Sequence, residues 1–358
     1  MIDAFIYEPL PTRVIFGFGT LSRLGEEADR LGVRRALILT TPQQTELAAR
    51  AATVLGERAA GHFSGAAMHT PRDVTDRAIE IARSLDADAT VAIGGGSTTG
   101  LGKAIASRLG LPQIVLPTTY AGSEMTPILG ETSDGLKTTR RDPSILPNIV
   151  IYDVDLTMGL PVPLSVTSGM NAMAHAVEAL YAQDRNPAVS ALAEQAIRSL
   201  GAALPRVVAN PDDREARAGA LQGAWLAGIC LGSIGMAIHH KLCHTLGGAF
   251  NLPHAETHTV MLPHSIAYVA QAVPEAMATI ERALGASDAA TALFDSATAM
   301  GAPTSLAALG MQEADLAEAA AQAVQNPYWN PRPLDEAEIL ALLRRAWRGE
   351  TPPRRNAG

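Results

Sequence analysis

The sequence predicts an α/β domain built on a parallel sheet over residues 1–157, followed by an all-helical domain over residues 158–350. Three observations carry that prediction. Short aliphatic runs alternate with helical patterns through the first part of the chain, as in a sheet with crossover helices. Strand signals stop after Asp153, and the segment holding Pro161 and Pro163 opens a long Ala-rich stretch with helical periodicity. A length of 358 residues also suggests two domains, at roughly 100 to 200 residues each.

Five strands are expected, at Arg13 to Phe16, Ala36 to Thr40, Thr90 to Ile93, Gln113 to Leu116 and Asn148 to Tyr152. Each is short, apolar and bounded by Gly, Pro, Asp or Thr. Helical spacing occupies Leu21 to Leu31, Gln43 to Leu55, Pro71 to Leu85 and Thr99 to Leu109. Residues 351–358 contain Pro352, Pro353, Arg354 and Arg355 without an apolar pattern, which predicts a flexible tail. The uncharged run from Ala218 to Ile238 is long enough to cross a bilayer. It contains Gln222, Ser233 and the spaced glycines Gly219, Gly223, Gly228 and Gly232 and leads directly into His239, His240 and Lys241, so a buried helix is expected and no membrane span.

Composition narrows the function. Hydrophobic residues make up 47% and charged residues 18%, which excludes a disordered chain. A net charge of -8 leaves no broad basic face, so no nucleic-acid partner is expected. Cys230 and Cys243 are too few for a disulfide framework or a thiolate metal cluster, and a basic segment followed by an apolar run is absent at the N-terminus. A reduced, cytoplasmic protein is the expectation.

The strand ending at Ile93 runs into Gly94, Gly95, Gly96 and Ser97 and then into a helix. Strand, glycine turn and helix start is an anion-binding geometry, because glycine lets the backbone approach a phosphate and the helix N-terminus supplies positive potential. It is neither a Walker A loop, since Ala104 follows Lys103, nor G-x-G-x-x-G, since Thr99 holds the last position. An isolated GGGS is read equally well as a tight turn. Gly17 and Gly19 read as a turn pair. After the next strand, Thr118 and Thr119 place hydroxyls at the carboxyl edge of the sheet, where ligands sit in open α/β folds.

Of nine histidines, six fall between His239 and His264, a density that needs a reason in so apolar a neighbourhood. His240 and His244 share a helix face, His254 follows a Gly247, Gly248 and Pro253 turn, and Asn171 and His175 form another i, i+4 pair with Glu178 one turn on. His62, His69 and His239 read as satisfied core or surface residues. Asn171 is the obvious fourth position of a metal site, but an amide beside three imidazoles lacks the anion that offsets a divalent charge, so no metal is expected.

Taken together, the glycine turn, the threonine loop and the histidine spacing make the sequence resemble the iron-containing alcohol dehydrogenase superfamily over nearly its full length. Within it, the strings AIGGGSTTGLGKA, LPTTYAGSEMT, SVTSGMNAMAHAVEALY, HHKLCHTLGGAFNLPHAETHTVMLPH and NPYWNPRPL look like maleylacetate reductases. The resemblance implies a Rossmann-like nucleotide-binding domain joined to an all-α domain, the dehydroquinate synthase-like architecture, and a homodimer. It also implies NADH- or NADPH-dependent reduction of maleylacetate, and of chlorinated maleylacetates, to 3-oxoadipate-type products in bacterial breakdown of aromatic compounds.

By position, the resemblance gives Gly94, Gly95, Gly96 and Ser97 to the cofactor pyrophosphate and Thr118 and Thr119 to its ribose and nicotinamide. Thr41 stands where an Asp often selects NADH, and Gly100 where alcohol dehydrogenases commonly have Asp. The superfamily's metal-ligand positions are Asn171, His175, His240 and His254. His244 matches a histidine near the reacting end of the cofactor. His240, His244 and His254 are the expected catalytic donors, with His175 and Asn171 lining the substrate. A small dicarboxylate substrate needs positive charge, for which Lys241 and Arg332 are candidates, with Tyr328 as a hydrogen-bond donor. The alternative in the superfamily is a metal-dependent alcohol dehydrogenase or aldehyde reductase, against which Asn171, Gly100 and HHKLCHTLGG argue. A non-catalytic nucleotide sensor would leave the histidine cluster without a purpose.

Overall fold

The computed structural model describes residues 4–133 and 136–355. The chain forms two compact units, one spanning Leu10–Leu160 and the other running from Pro161 onward together with the segment that ends at Pro9. That first segment, expected in the α/β domain, therefore groups with the helices.

The α/β unit contains strands β1 (Arg13–Gly17), β2 (Ala36–Leu39), β3 (Ala59–Phe63), β4 (Ala89–Gly94), β5 (Gln113–Pro117), β6 (Ile128–Ser133), β7 (Leu136–Arg141) and β8 (Ile149–Asp153). Helices α1 (Leu24–Arg30), α2 (Thr45–Leu55), α3 (Arg72–Ser84) and α4 (Gly96–Leu109) connect them. Six strands form one parallel sheet in the order β1-β8-β5-β4-β2-β3, and β6 and β7 form a separate antiparallel pair. Strands β2, β4, β5 and β8 are buried throughout, which is why they read as continuous aliphatic runs rather than alternating ones. One sheet face, with Ile38, Val91, Ile93, Ile114 and Ile151, packs on Leu24, Ala28, Ala51 and Leu55 of α1 and α2.

Three strands escaped the sequence pattern. The AAGHF segment of β3 has no β-branched residue and pairs only with β2, at the sheet edge. The β6–β7 ribbon is mostly polar, with ILGETS facing LKTTRR, and so lacks a buried-strand signature. Topology matters more for function. From the neighbouring strands β2 and β4 the chain leads away in opposite directions, to edge strand β3 and to β5, and such a switch point opens a crevice at the carboxyl ends.

The second unit is helical: α5 (Val162–Ala179), α6 (Pro187–Ala209), α7 (Arg214–Ser233), α8 (Ile238–Ala249), α9 (His254–Val269), α10 (Pro274–Leu284), α11 (Ala289–Ala299), α12 (Leu316–Val324) and α13 (Glu336–Arg348). The uncharged run is mostly α7, which ends at Ser233 and turns by 95° into α8. Its glycines serve packing: a Cβ on Gly223 would lie 2.7 Å from the Leu200 side chain and 3.2 Å from the Ala196 carbonyl of α6. Among the described residues no single helix is long and apolar enough to cross a membrane. The predicted flexible tail is tied down as far as Arg355. Pro352 is buried, the Arg355 N–H donates to the Asp288 carboxylate at 3.1 Å, and its guanidinium reaches Glu281 at 3.3 Å.

Candidate active site

In the α/β unit the glycine turn joins β4 directly to α4, which starts at Gly96 rather than Thr99. Gly95 is the N-cap residue and no side chain caps the helix, so its N-terminal N–H groups are presented to an anion. Side chains leave no room for larger residues here. A Cβ on Gly94 would meet Thr98 Oγ1 at 2.3 Å and Gln44 Oε1 at 2.8 Å, and one on Gly95 would meet Thr119 Cγ2 at 2.9 Å. Thr118 donates its N–H to the Gly94 carbonyl at 3.0 Å, which fixes the threonine loop against the turn. Gln44 is the residue the sequence did not single out. Its Nε2 donates to Thr118 Oγ1 at 2.9 Å and its Oε1 accepts from Thr41 Oγ1 at 3.2 Å, linking the ends of β2 and β5. Thr41, Gly94 to Ser97, Thr118 and Thr119 thus meet at one sheet edge. At Gly100 a Cβ would lie 2.4 Å from Thr70 Oγ1, so an Asp there would require the Thr70 side chain to turn away.

Lys103, one turn beyond Gly100, binds no phosphate. It is buried, and Nζ donates to the carbonyls of Ser123 and Ile128 at 2.6 and 2.9 Å and to Thr126 Oγ1 at 3.0 Å. Burial pushes its ammonium down to about 7. Burial likewise pushes the Glu124 carboxyl up, where Oε1 accepts the Tyr152 hydroxyl at 2.8 Å. This polar core holds the 122–128 loop that follows Thr118 and Thr119.

In the helical unit, α5, α8 and α9 bring six imidazoles into one array. Ring centroids are 5.1 Å apart for His175 and His240, 5.9 Å for His240 and His244, 5.1 Å for His240 and His258, 4.4 Å for His254 and His258, and 4.8 Å for His239 and His258. His175 Nδ1 lies 3.1 Å from His240 Nε2. Asn171 is buried one turn earlier on α5.

Glu178 organises the array, and the sequence marked it only by its position one turn after His175. Its Oε2 accepts from His240 Nδ1, and its Oε1 accepts the backbone N–H groups of His239 and His240 at 2.9 and 3.4 Å. The carboxylate therefore caps the start of α8 from another helix. Burial pushes Glu178 up, but the adjacent His240 ring and these N–H donors outweigh it and hold the carboxyl below its ordinary range. With Nδ1 donating to Glu178, Nε2 is the His240 atom that faces His175. Burial, and then the neighbouring rings, push His239 and His258 well below the usual imidazole range.

His244 is half-buried, and its Nδ1 lies 2.9 Å from the Tyr328 hydroxyl. Lys241 Nζ donates to the Gln325 carbonyl at 2.8 Å and sits 6.0 Å from the Tyr328 ring centroid. Lys241, His244 and Tyr328 are thus neighbours. Arg332 does not join them. Its guanidinium pairs with Glu338, donates to the Tyr268 carbonyl at 3.2 Å and stacks 4.2 Å from the Tyr268 ring centroid, so it braces the 332–338 segment instead of offering charge to a substrate.

His264, which closes the histidine-rich window of the sequence, packs on Phe294 away from this array, and burial pushes it down to about 4. Its unfolded value is near 6.5, so the unfolded chain binds more protons between those limits and stability falls as pH drops through them. About 3 kcal/mol should be lost by pH 4 relative to pH 7. Urea unfolding across this range should show a His264→Leu variant relieved of that part of the acid sensitivity.

The pattern described as iron-containing alcohol dehydrogenase matches residues 11–154, and that of the Fe-containing alcohol dehydrogenase family, C-terminal, matches residues 165–347. Maleylacetate reductase of Rhizobium sp. (strain MTP-10005) is 57% identical over 351 residues, covering 98% of this chain and all of the relative. The maleylacetate reductase of Sphingobium indicum is 56% identical over 97% of this chain and 99% of its own. The crystal structure of maleylacetate reductase from Agrobacterium tumefaciens superposes with a TM-score of 0.95 at 55% identity, covering 98% of this chain and 100% of that one. With both halves matched and relatives similar from end to end, the chain belongs to the iron-containing alcohol dehydrogenase family.

Proposed function

We propose that this chain is an NAD(P)H-dependent maleylacetate reductase that converts maleylacetate to 3-oxoadipate. End-to-end similarity at 57% identity to the Rhizobium enzyme carries the reading. The geometry supplies a mechanism. The substrate has a carbon–carbon double bond conjugated to a ketone, and the carbon β to that ketone accepts a hydride while the π pair shifts to the ketone oxygen. Bound NADH or NADPH supplies that hydride. The enolate then takes one proton at the carbon α to the ketone, so one hydride and one proton are added overall.

A protein donor stabilises the enolate oxygen, a role for His254. His240, expected as a second donor, gives its Nδ1–H to Glu178 and turns the lone pair of Nε2 toward His175, so it orients the array instead. His244 donates the carbon-bound proton. Tyr328 engages its Nδ1, which leaves Nε2 as the transferring atom. Lys241 meets one substrate carboxylate. Its partner is a neutral carbonyl, and burial pushes its ammonium down, so an anion arriving there gains a charge-assisted bond. Lys241→Met should raise KM for maleylacetate about tenfold with kcat little changed; an unchanged KM rejects the assignment.

The family's metal positions are here Asn171, His175, His240 and His254. Three neutral imidazoles and an amide bring no anion, and Glu178, the carboxylate bonded to the array, is engaged by His240 Nδ1 and two backbone N–H groups. This donor set does not fit an iron ion, and no step above runs through one. The cofactor seat does fit: a glycine cradle at an uncapped helix start suits a pyrophosphate. Gly95→Ala crowds Thr119 at 2.9 Å and should raise KM for NADH tenfold or more in initial-rate assays.

The direct test mixes the purified protein with NADH and freshly prepared maleylacetate and identifies the product by NMR. 3-Oxoadipate is expected. A hydroxy acid formed at the ketone carbon, or no turnover, rejects the reading.

A further inference from the structure

We propose that His239, Cys243 and His258 form a binding site for one thiophilic metal ion, of the Zn2+, Cd2+ or Cu+ class. None of these residues occupies a metal position of the family. His239 and Cys243 are four residues apart on α8 and so share a helix face, and His258 meets them from α9. All three are buried, and one ligand atom from each lies within 4.8 Å of the others. His239 Nε2 is 2.9 Å from His258 Nδ1 and 3.7 Å from Cys243 Sγ.

A tetrahedral ion with ordinary zinc bond lengths sets ligand atoms about 3.4 Å apart for two nitrogens and about 3.6 Å for nitrogen and sulfur. The His239–Cys243 edge already has that length. The His239–His258 edge has to open by about 0.5 Å, and the Cys243–His258 edge, which lies within 4.8 Å, has to close by up to about 1.2 Å, movements that side-chain rotation supplies.

The surroundings select the metal-ready tautomer of His239. The Ser265 hydroxyl donates to the Met261 carbonyl at 2.8 Å, so its oxygen accepts from His239 Nδ1–H at 3.0 Å, and the His239 lone pair lies on Nε2, facing the other two ligands. His258 Nδ1–H then donates to that lone pair. Its own Nε2 is buried with no hydrogen-bond partner among the described residues, so the proton can move there when Nδ1 takes a metal. Cys243 loses its proton to become a thiolate and supplies the anion missing from the Asn171 set, with a water completing the shell. One thiolate and two imidazoles favour zinc-class and copper(I) ions over Mg2+ or Fe2+.

The test titrates the reduced, metal-stripped, full-length protein with Co2+ and records its absorption spectrum. One Co2+ per chain is expected, with a thiolate-to-cobalt charge-transfer band that disappears when Zn2+ displaces the probe. Cys230→Ala should keep the band, Cys243→Ser should abolish it, and His258→Gln should weaken Co2+ binding at least tenfold. Wild-type protein that binds Co2+ without a charge-transfer band, or binds none, overturns the proposal whatever the variants do. A band surviving in Cys243→Ser overturns it as well.

Discussion

Glu178→Gln is expected to lower kcat about 100-fold or more in steady-state assays while the protein still folds. Glutamine keeps the shape of the side chain but must turn an N–H2 group either toward His240 Nδ1 or toward the backbone N–H of His239, both donors to the native carboxylate. A donor facing a donor is avoided if His240 switches tautomer, which moves its proton to Nε2 and changes what the ring offers the substrate. Proton-transfer and orienting groups contribute roughly 100-fold to 10,000-fold, which sets the size of the loss. Glu178→Ala should also destabilise the fold, because it strips a helix cap and strands buried donors at about 1–3 kcal/mol each. Near-normal turnover in Glu178→Gln would show that the array works without its carboxylate.

His244→Ala should lose at least about 100-fold in kcat, because it removes the ring that Tyr328 holds in place for proton delivery. Protonation then becomes rate-limiting. The solvent isotope effect should grow and the effect from 4-deuterated NADH should shrink. Tyr328→Phe orients the ring less well but leaves its Nε2 intact, so a loss of no more than about tenfold is expected. Normal turnover in His244→Ala assigns the proton to another donor.

What the sequence showed, and what it hid, follows the range of each interaction. The glycine turn between two apolar runs and the i, i+4 histidine pairs are local patterns, and both sit where the pattern implied. Glu178 was visible as a helical neighbour of His175, but its partners lie 61 and 62 residues away and only the fold brings α8 onto it. Lys103 follows the glycine turn in sequence without completing a phosphate-loop pattern, and the fold commits its Nζ to three oxygen contacts instead. Arg332 failed the other way. Its local string suggested a substrate cation, whereas Glu338 and Tyr268 occupy the guanidinium. Edge strand β3, without branched residues, gains its conformation from pairing with β2 rather than from propensity.

In the proposed function, hydride goes to the double bond and histidines, not a metal, manage the charge that develops. Metal-stripped protein supplied with 4-deuterated NADH and maleylacetate tests both parts at once, read by NMR of the product. The expected product is 3-oxoadipate carrying one deuterium on the methylene two carbons from the ketone, formed without added metal. Deuterium on a carbinol carbon, or turnover that appears only when iron or zinc is restored, would contradict it.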